Sequence, residues 1–366
     1  MRFAFTEQQT QFRDAVRQVL DKECTPDDLR SVFDAPEARS RRWATLAEMG
    51  VTGLTVPEAL GGLGLHLLDL VPLLEEAGRA ALPEPLIETT ALAAPLLAGF
   101  PSDPAAAWLE GMASGKITAA VAPVDRTGSV PASMFGTSVV PAADGADLFI
   151  LPTAPKTGDL GTVELHAVSA AYVTVSPVAS LDPTRRLGTV GWEPSPATLI
   201  ASGAQALSAL RDLADRAAVA TAAELLGLAD RMISIAAAYA KERNQFGKPI
   251  GSFQAVKHLL AGAQVKLEFA RPTVYGAAWA LGDEALAGSP RAVRSASLAK
   301  AYASDAATEA ARVSLQVHGA IGYTWECDLH LFLKRAWALA ESWGSAADHR
   351  RRILSSLVDE TNPAEV

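Results

Sequence analysis

The sequence predicts an α+β multidomain protein. Its parts are an N-terminal helical domain (residues 1–116), a middle antiparallel β-barrel or sandwich (117–201) and a C-terminal four-helix bundle (202–366). Three observations predict it. Apolar residues recur at helical spacing up to about Lys116. From Ile117 to about Ala201, Pro, Gly, Thr and Val rise and short β-prone runs replace that period. From Gln205 onward, long alanine-rich runs poor in proline return.

In the first region Phe12, Val16, Val19 and Leu20 share one helix face, with Thr6 as the N-cap. Trp43–Leu65 reads as a helix stopped at Gly50, then a broken loop carrying Gly61, Gly62 and Gly64. A phosphate loop would need a following Lys-Ser/Thr and a flanking strand, so a structural turn is the stronger reading. In the middle region Thr137–Val140 and Tyr172–Val175 read as strands, punctuated by turns at Asp144-Gly145, Asp182-Pro183 and Gly188. No helical run separates them, which favours antiparallel pairing over βαβ units.

The C-terminal region predicts a helix over Gln205–Glu242, with Pro249 beyond its end. A second covers Ser252–Ala280, and Pro272 is expected to kink or break it. A third starts at Ser289-Pro290, an N-cap followed by proline at the first helical position, and runs to about Val317. Leu329–Ser342 and Ala346–Val358 complete the set.

Composition limits the function. The 366 residues are 49% apolar, much of it alanine, which suits close-packed helices. A net charge of −9 argues against nucleic acid as the main partner. Cys24 and Cys327 are too few and too far apart for a disulfide framework or a zinc site, and no metal site is expected. The N-terminus has no apolar core of a secretory signal, and no apolar run is long enough to span a membrane. A cytoplasmic protein is expected.

Two stretches carry the chemistry: Lys241–Gln254, KERNQFGKPIGSFQ, and Gln316–Tyr323, QVHGAIGY. Each joins glycines and polar side chains to a long helix, the layout in which helix ends hold a charged cofactor. The bland alternative is that Arg243 and Lys248 are solvated charges favoured by a helix C-terminus. Together the two stretches resemble the flavin-binding C-terminal domain of acyl-CoA dehydrogenases, and the resemblance extends over nearly the whole chain.

That resemblance implies FAD as cofactor and α,β-dehydrogenation of an acyl-CoA thioester as the reaction. It implies that Arg243 reaches the FAD pyrophosphate of a neighbouring subunit, a contact suited to guanidinium. Gln245 and Phe246 match positions touching the same diphosphate and adenine, and Phe253 and Gln254 match a further contact pair. The family's Gln-x-x-Gly-Gly-x-Gly cradle corresponds to Gln316, Gly319 and Gly322, with Ala320 replacing one glycine. The added methyl disfavours positive φ, so an altered cradle is expected. His318 reads as a packed or hydrogen-bonded histidine. In the middle domain Val139–Ile150 and Ser180–Leu187 resemble the family. Beside the flavin ring Ala122–Pro131 departs from it, leaving Thr127, Gly128 and Ser129 as the nearest polar candidates.

Where many relatives carry the catalytic glutamate stands Trp343, whose indole cannot take a proton. An alternative family position, upstream on the first bundle helix, falls near Ala217, with Asp215 and Arg216 alongside. The remaining carboxylates are Glu224, Glu326 and Glu341. Glu224 lies in an apolar run, as a weak base candidate or a structural carboxylate paired with a neighbouring helix. Glu326 reads as a turn residue, and Glu341 points about 200° round a helix from Trp343. The resemblance therefore implies a partner subunit of an α2β2 acyl-CoA dehydrogenase, beside a paralogue that bears the glutamate, in fatty acid or steroid catabolism. An electron-transfer flavoprotein is the implied acceptor. The alternatives are a self-sufficient homotetramer with an atypical base, and a flavin-fold oxygenase or scaffold.

Overall fold

The computed structural model describes residues 4–34, 40–124, 139–153, 162–283 and 285–361. Thr127, Gly128 and Ser129, and the first half of the predicted strand Thr137–Val140, lie outside them.

The chain opens with helices α1 (Glu7–Glu23), α2 (Pro26–Asp34), α3 (Arg41–Glu48) and α4 (Leu67–Arg79). Thr6 caps α1: its hydroxyl accepts from the Gln9 amide, and the Gln9 side chain accepts from the Thr6 amide at 2.8 Å. Val16 and Leu20 are buried on the predicted face. After α3 the chain turns at Gly50 with φ 83°. A Cβ on Gly62 would run into the Val56 carbonyl. This glycine lets the backbone fold onto itself, as a structural turn requires. A π-helical stretch, Ile87–Ala93, continues into α5 (Ala94–Ala98), followed by α6 (Asp103–Ala113).

The middle of the chain forms β1 (Ala119–Val121), β2 (Val139–Val140), β3 (Leu148–Pro152), β4 (Glu164–Ser169), β5 (Thr174–Pro177), β6 (Gly188–Gly191) and β7 (Leu199–Ser202). They make one sheet of order β1-β3-β4-β7 and a second of order β2-β6-β5. Phe149, Leu151 and Val168 of the first sheet share a buried core with Val140 and Val190 of the second, a sandwich of two sheets. It is not wholly antiparallel: β1 runs parallel to β3, Ala119 opposite Leu148. The Asp147 carboxylate accepts from the Thr118 amide at 2.8 Å and the Asp147 amide donates to the Thr118 carbonyl at 3.0 Å, aligning the two strand starts. The predicted strand Tyr172–Val175 begins later, at Thr174. The Ser169 hydroxyl accepts from the Ala171 amide and holds Ala170–Tyr172 in a 3₁₀ turn.

The rest is helical: α7 (Gly203–Glu242), a hairpin of β8 (Asn244–Gln245) and β9 (Lys248–Pro249), then α8 (Gln254–Gly282), α9 (Pro290–His318), α10 (Leu329–Glu341) and α11 (Ala346–Thr361). Ser289 caps α9 through the Ala292 amide, with Pro290 at the first position. α8 runs through Pro272 without a break, so of the two expected outcomes, a kink or a break, the break does not occur. Leu267, Ala270, Val274 and Ala277 on either side of the proline are all buried. Tertiary packing outweighs the one backbone hydrogen bond that proline deletes.

The chain divides into two compact units, residues 1–29, 71–82 and 218–366, and residues 30–70 and 83–217. In the first, α9 packs against α8, α10 and α11 through buried alanines such as Ala299, Ala303, Ala306 and Ala310. Gly78 of α4 and Gly227 of α7 lie against the carbonyls of Glu224 and Glu75, an approach that leaves no room for a Cβ. In the second, the Trp43 indole donates to the Gly115 carbonyl at 3.0 Å, and Arg42 pairs with Glu84 at 3.0 Å. No helix among the described residues is long and apolar enough to cross a membrane.

Candidate functional site

The hairpin that ends α7 has a two-residue turn, Phe246 at φ 52° and Gly247 at φ 79°. Two consecutive positive φ values are those of a type I′ turn, whose twist matches the flanking strands. The turn holds Phe246 outward, 91% exposed, with its ring edge-on to Phe253 at 6.0 Å. The Lys248 ammonium sits 4.4 Å over the Phe253 ring. The Arg243 carbonyl accepts from the Ile250 amide at 2.8 Å, closing the hairpin, while its guanidinium is exposed and has no partner among the described residues. Gln245 and Gln254 are exposed beside it, Gln254 opening α8 with no side-chain cap before it. The first amides of α8 are thus unspent donors.

The second motif follows α9. Gly319 takes φ 64° and ψ −140°, and a Cβ there would meet nothing within 4 Å. The backbone at Gly319 is therefore open to close approach by a ligand. Ala320 is unstrained, because the positive φ falls on Gly319 and not on it. The altered cradle expected from the alanine does not arise from backbone strain. Gln316, Gly319, Ala320 and Ile321 are exposed, whereas Gly322 is buried where a Cβ would press on Leu315 and His318. His318 is a packing residue, as its sequence context suggests: its Nδ1–H donates to the Ser314 carbonyl at 2.7 Å and its ring stacks on Tyr239 at 4.5 Å. Tyr239 lies one helical turn before Arg243, so this stack brings the two motifs to the same end of the α7–α9 pair. The sequence reading missed Tyr239; its position four residues before Arg243, on the same helix face, was the available signal.

Trp343 sits in the α10–α11 turn at φ 57°, followed by Gly344 at φ 104°. Buried Lys300 of α9 holds this turn, donating to the carbonyls of Ala340 at 2.8 Å and Gly344 at 2.9 Å and to the Ser304 hydroxyl at 3.0 Å. The His349 Nε2–H donates to the Trp343 carbonyl at 2.9 Å. Burial, with Lys300 nearby, pushes the His349 imidazole down to about 4, so it is neutral at pH 7. Ser345 and Asp348 cap α11 reciprocally. Lys300 and His349 thus hold this turn through its backbone carbonyls.

The three carboxylates weighed as bases lie in different settings. Glu224 is buried on α7, 4.0 Å from the Arg335 guanidinium, which also donates to the Leu82 carbonyl at 2.9 Å. That is the arrangement of a structural ion pair, the second of its two sequence readings. Glu326 is exposed, and hydrogen bonds from its own amide and Thr324 hold its carboxyl below the usual range, as in a turn. Glu341 is exposed on the rim of a cleft with Ser345 and Arg350. Ala217, at the alternative position, is wholly buried.

Known proteins resolve the identity of this arrangement. The acyl-CoA dehydrogenase N-terminal domain profile matches residues 6–116 and the C-terminal domain profile matches 207–358. The chain belongs to the acyl-CoA dehydrogenase family, a family of oxidoreductases. It is 33% identical to acyl-CoA dehydrogenase IpdE2 of Mycobacterium tuberculosis over 96% of this chain and 98% of that one. Among solved structures it is similar to the ChsE4–ChsE5 complex from Mycobacterium tuberculosis, with 27% identity, a TM-score of 0.85 and coverage of 98% and 99%. It is also similar to a variant of the Tcur3481–Tcur3483 steroid acyl-CoA dehydrogenase, with 28% identity, a TM-score of 0.84 and coverage of 97% and 99%.

Proposed function

We propose that this acyl-CoA dehydrogenase chain is the partner subunit of a heteromeric, FAD-dependent enzyme. Residues 1–116, 117–201 and 202–366 are its N-terminal, middle and C-terminal domains. FAD, when bound, accepts the two electrons that leave the acyl β-carbon as hydride. Arg243 would neutralise the diphosphate, Gln245, Gln254 and the first amides of α8 would donate to it, and Phe246 with Phe253 would offer an aromatic face to adenine. The exposed segment of Gln316, Gly319 and Ala320 would let the dinucleotide approach its backbone, which is bare at Gly319. The open Gly319 backbone and the uncommitted Arg243 guanidinium suit an anionic dinucleotide.

The observation that carries the reading is the combination of an intact dinucleotide end with Trp343 in the turn that should hold the base. The α-proton is therefore taken by a paralogous subunit that bears the glutamate, in an α2β2 assembly that passes electrons to an electron-transfer flavoprotein. Similarity to a steroid acyl-CoA dehydrogenase supports bulky, steroid-derived acyl groups as substrates. The test is an anaerobic titration with acyl-CoAs, following flavin absorbance, of the chain alone and co-purified with such a paralogue. Bleaching only in the co-purified assembly is expected; bleaching of the chain alone would replace this reading with a self-sufficient homotetramer.

A further inference from the structure

In the second compact unit, α5, its π-helical lead-in and the start of α7 line an open cleft of about 330 Å³. Its walls are mainly apolar, from Leu92, Pro95, Leu96, Phe100 and Leu213. Arg216 of α7 closes one side. Its Nε donates to the Ala91 carbonyl at 3.2 Å, and no other hydrogen-bond partner is present among the described residues. A guanidinium carries five N–H donors, so four on the two terminal nitrogens remain uncommitted beside the cleft. Burial lowers the group to about 10, which leaves it charged at neutral pH. Asp212, one turn earlier and also lining the cleft, acts on it only through space, and burial raises the Asp212 carboxyl.

We propose that this cleft binds an aliphatic carboxylate, the carboxylate paired with the terminal nitrogens of Arg216 and the hydrocarbon chain against the leucines and Phe100. One planar, bidentate donor matches a carboxylate. A single cation with a carboxyl group nearby is a poor site for a phosphate dianion. The volume, at the small end of ligand pockets, suits a chain of a few carbons. The source of the carboxylate is either a free fatty acid or the far end of a carboxyl-terminated acyl-CoA. The proposal does not depend on the flavin reading.

Calorimetric titration of the full chain with hexanoate and with hexanamide tests it, the pair differing only in charge. Hexanoate is expected to bind at least ~10-fold more tightly, a difference of about 1.4 kcal/mol. Arg216→Gln should abolish the preference while leaving hexanamide binding in place, and Asp212→Asn should strengthen hexanoate binding. Competition separates the sources: adipyl-CoA displacing hexanoate where hexanoyl-CoA does not assigns the acyl tail, and displacement by neither assigns the free acid. Equal binding of acid and amide by the native chain, a preference surviving Arg216→Gln, or displacement of hexanoate by both thioesters to the same extent overturns the proposal. The native comparison needs no variant, so a poorly folding Arg216→Gln leaves the test intact.

Discussion

His318 stacks its imidazole on the phenol ring of Tyr239, with centroids 4.5 Å apart and planes 18° from parallel. One ring belongs to α9 immediately before Gly319, the other to α7 one turn before Arg243. The pair therefore couples two segments separated by about eighty residues of chain. His318→Leu removes the stack and the bond to the Ser314 carbonyl, and is expected to lower unfolding stability by about 1–2 kcal/mol. Urea denaturation measures that, and flavin absorbance of the assembly should fall with it, because the Gly319 segment loses its anchor.

Arg243→Ala is expected to strip FAD from the assembly while leaving the melting temperature of the flavin-free chain unchanged. The side chain is exposed and makes no hydrogen bond or ion pair among the described residues. Arg243→Lys should retain part of the flavin, since a point charge replaces a bidentate fork. Unchanged flavin-to-protein stoichiometry in Arg243→Ala would remove the arginine from the cofactor site.

Lys300→Met is expected to destabilise the chain by about 3 kcal/mol or more. The ammonium bonds two carbonyls and a hydroxyl in a site fully closed to solvent, and methionine fills the space without supplying a donor. A guanidinium chloride midpoint shift measures it; a cost below about 1 kcal/mol would mean that water enters and substitutes.

Trp343→Glu is expected to fold, because Lys300 and His349 hold the turn by its backbone and glutamate replaces a residue already at positive φ. On the partner-subunit reading it gives this chain a carboxylate at the family's usual position. More flavin per assembly should then bleach on anaerobic addition of substrate than in the native assembly. No gain would mean that further residues of this chain's acyl site have diverged.

His349 sets a pH dependence. Its folded-state value of about 4 lies below the ordinary histidine value of 6.5, so between those limits the unfolded chain binds a proton that the folded chain does not. Stability therefore rises with pH across this window and falls as pH drops from about 6.5 towards 4, by up to about 3 kcal/mol. His349→Gln keeps a donor for the Trp343 carbonyl and cannot titrate. Denaturation curves measured from pH 4 to 7 should show a flatter acid limb in the variant.

Much of the fold was legible in the chain itself. Thr6 and Ser289 announce helix starts because their hydroxyls satisfy amides that no helix can satisfy internally. Helices α7 to α9 follow from alanine-rich runs bounded by Gly, Pro and Ser. The middle region was less legible: the parallel β1–β3 pair depends on Thr118 and Asp147, twenty-nine positions apart, meeting in space. Pro272 does not break its helix, because a local rule ignores the buried faces on either side of it.

The sequence by itself determined the family, the order of helical and β segments, and the two motifs around Arg243 and Gly319 on which the proposed dinucleotide site rests. These are local patterns, carried by residue identity and spacing. Only the tertiary structure decided that positive φ falls on Gly319 and not Ala320, that Glu224 is tied to Arg335, that Lys300 holds the Trp343 turn, and that Arg216 faces a cleft with donors to spare. Each of those depends on which distant groups meet and which are left without a partner. Packing, not spacing, sets that outcome.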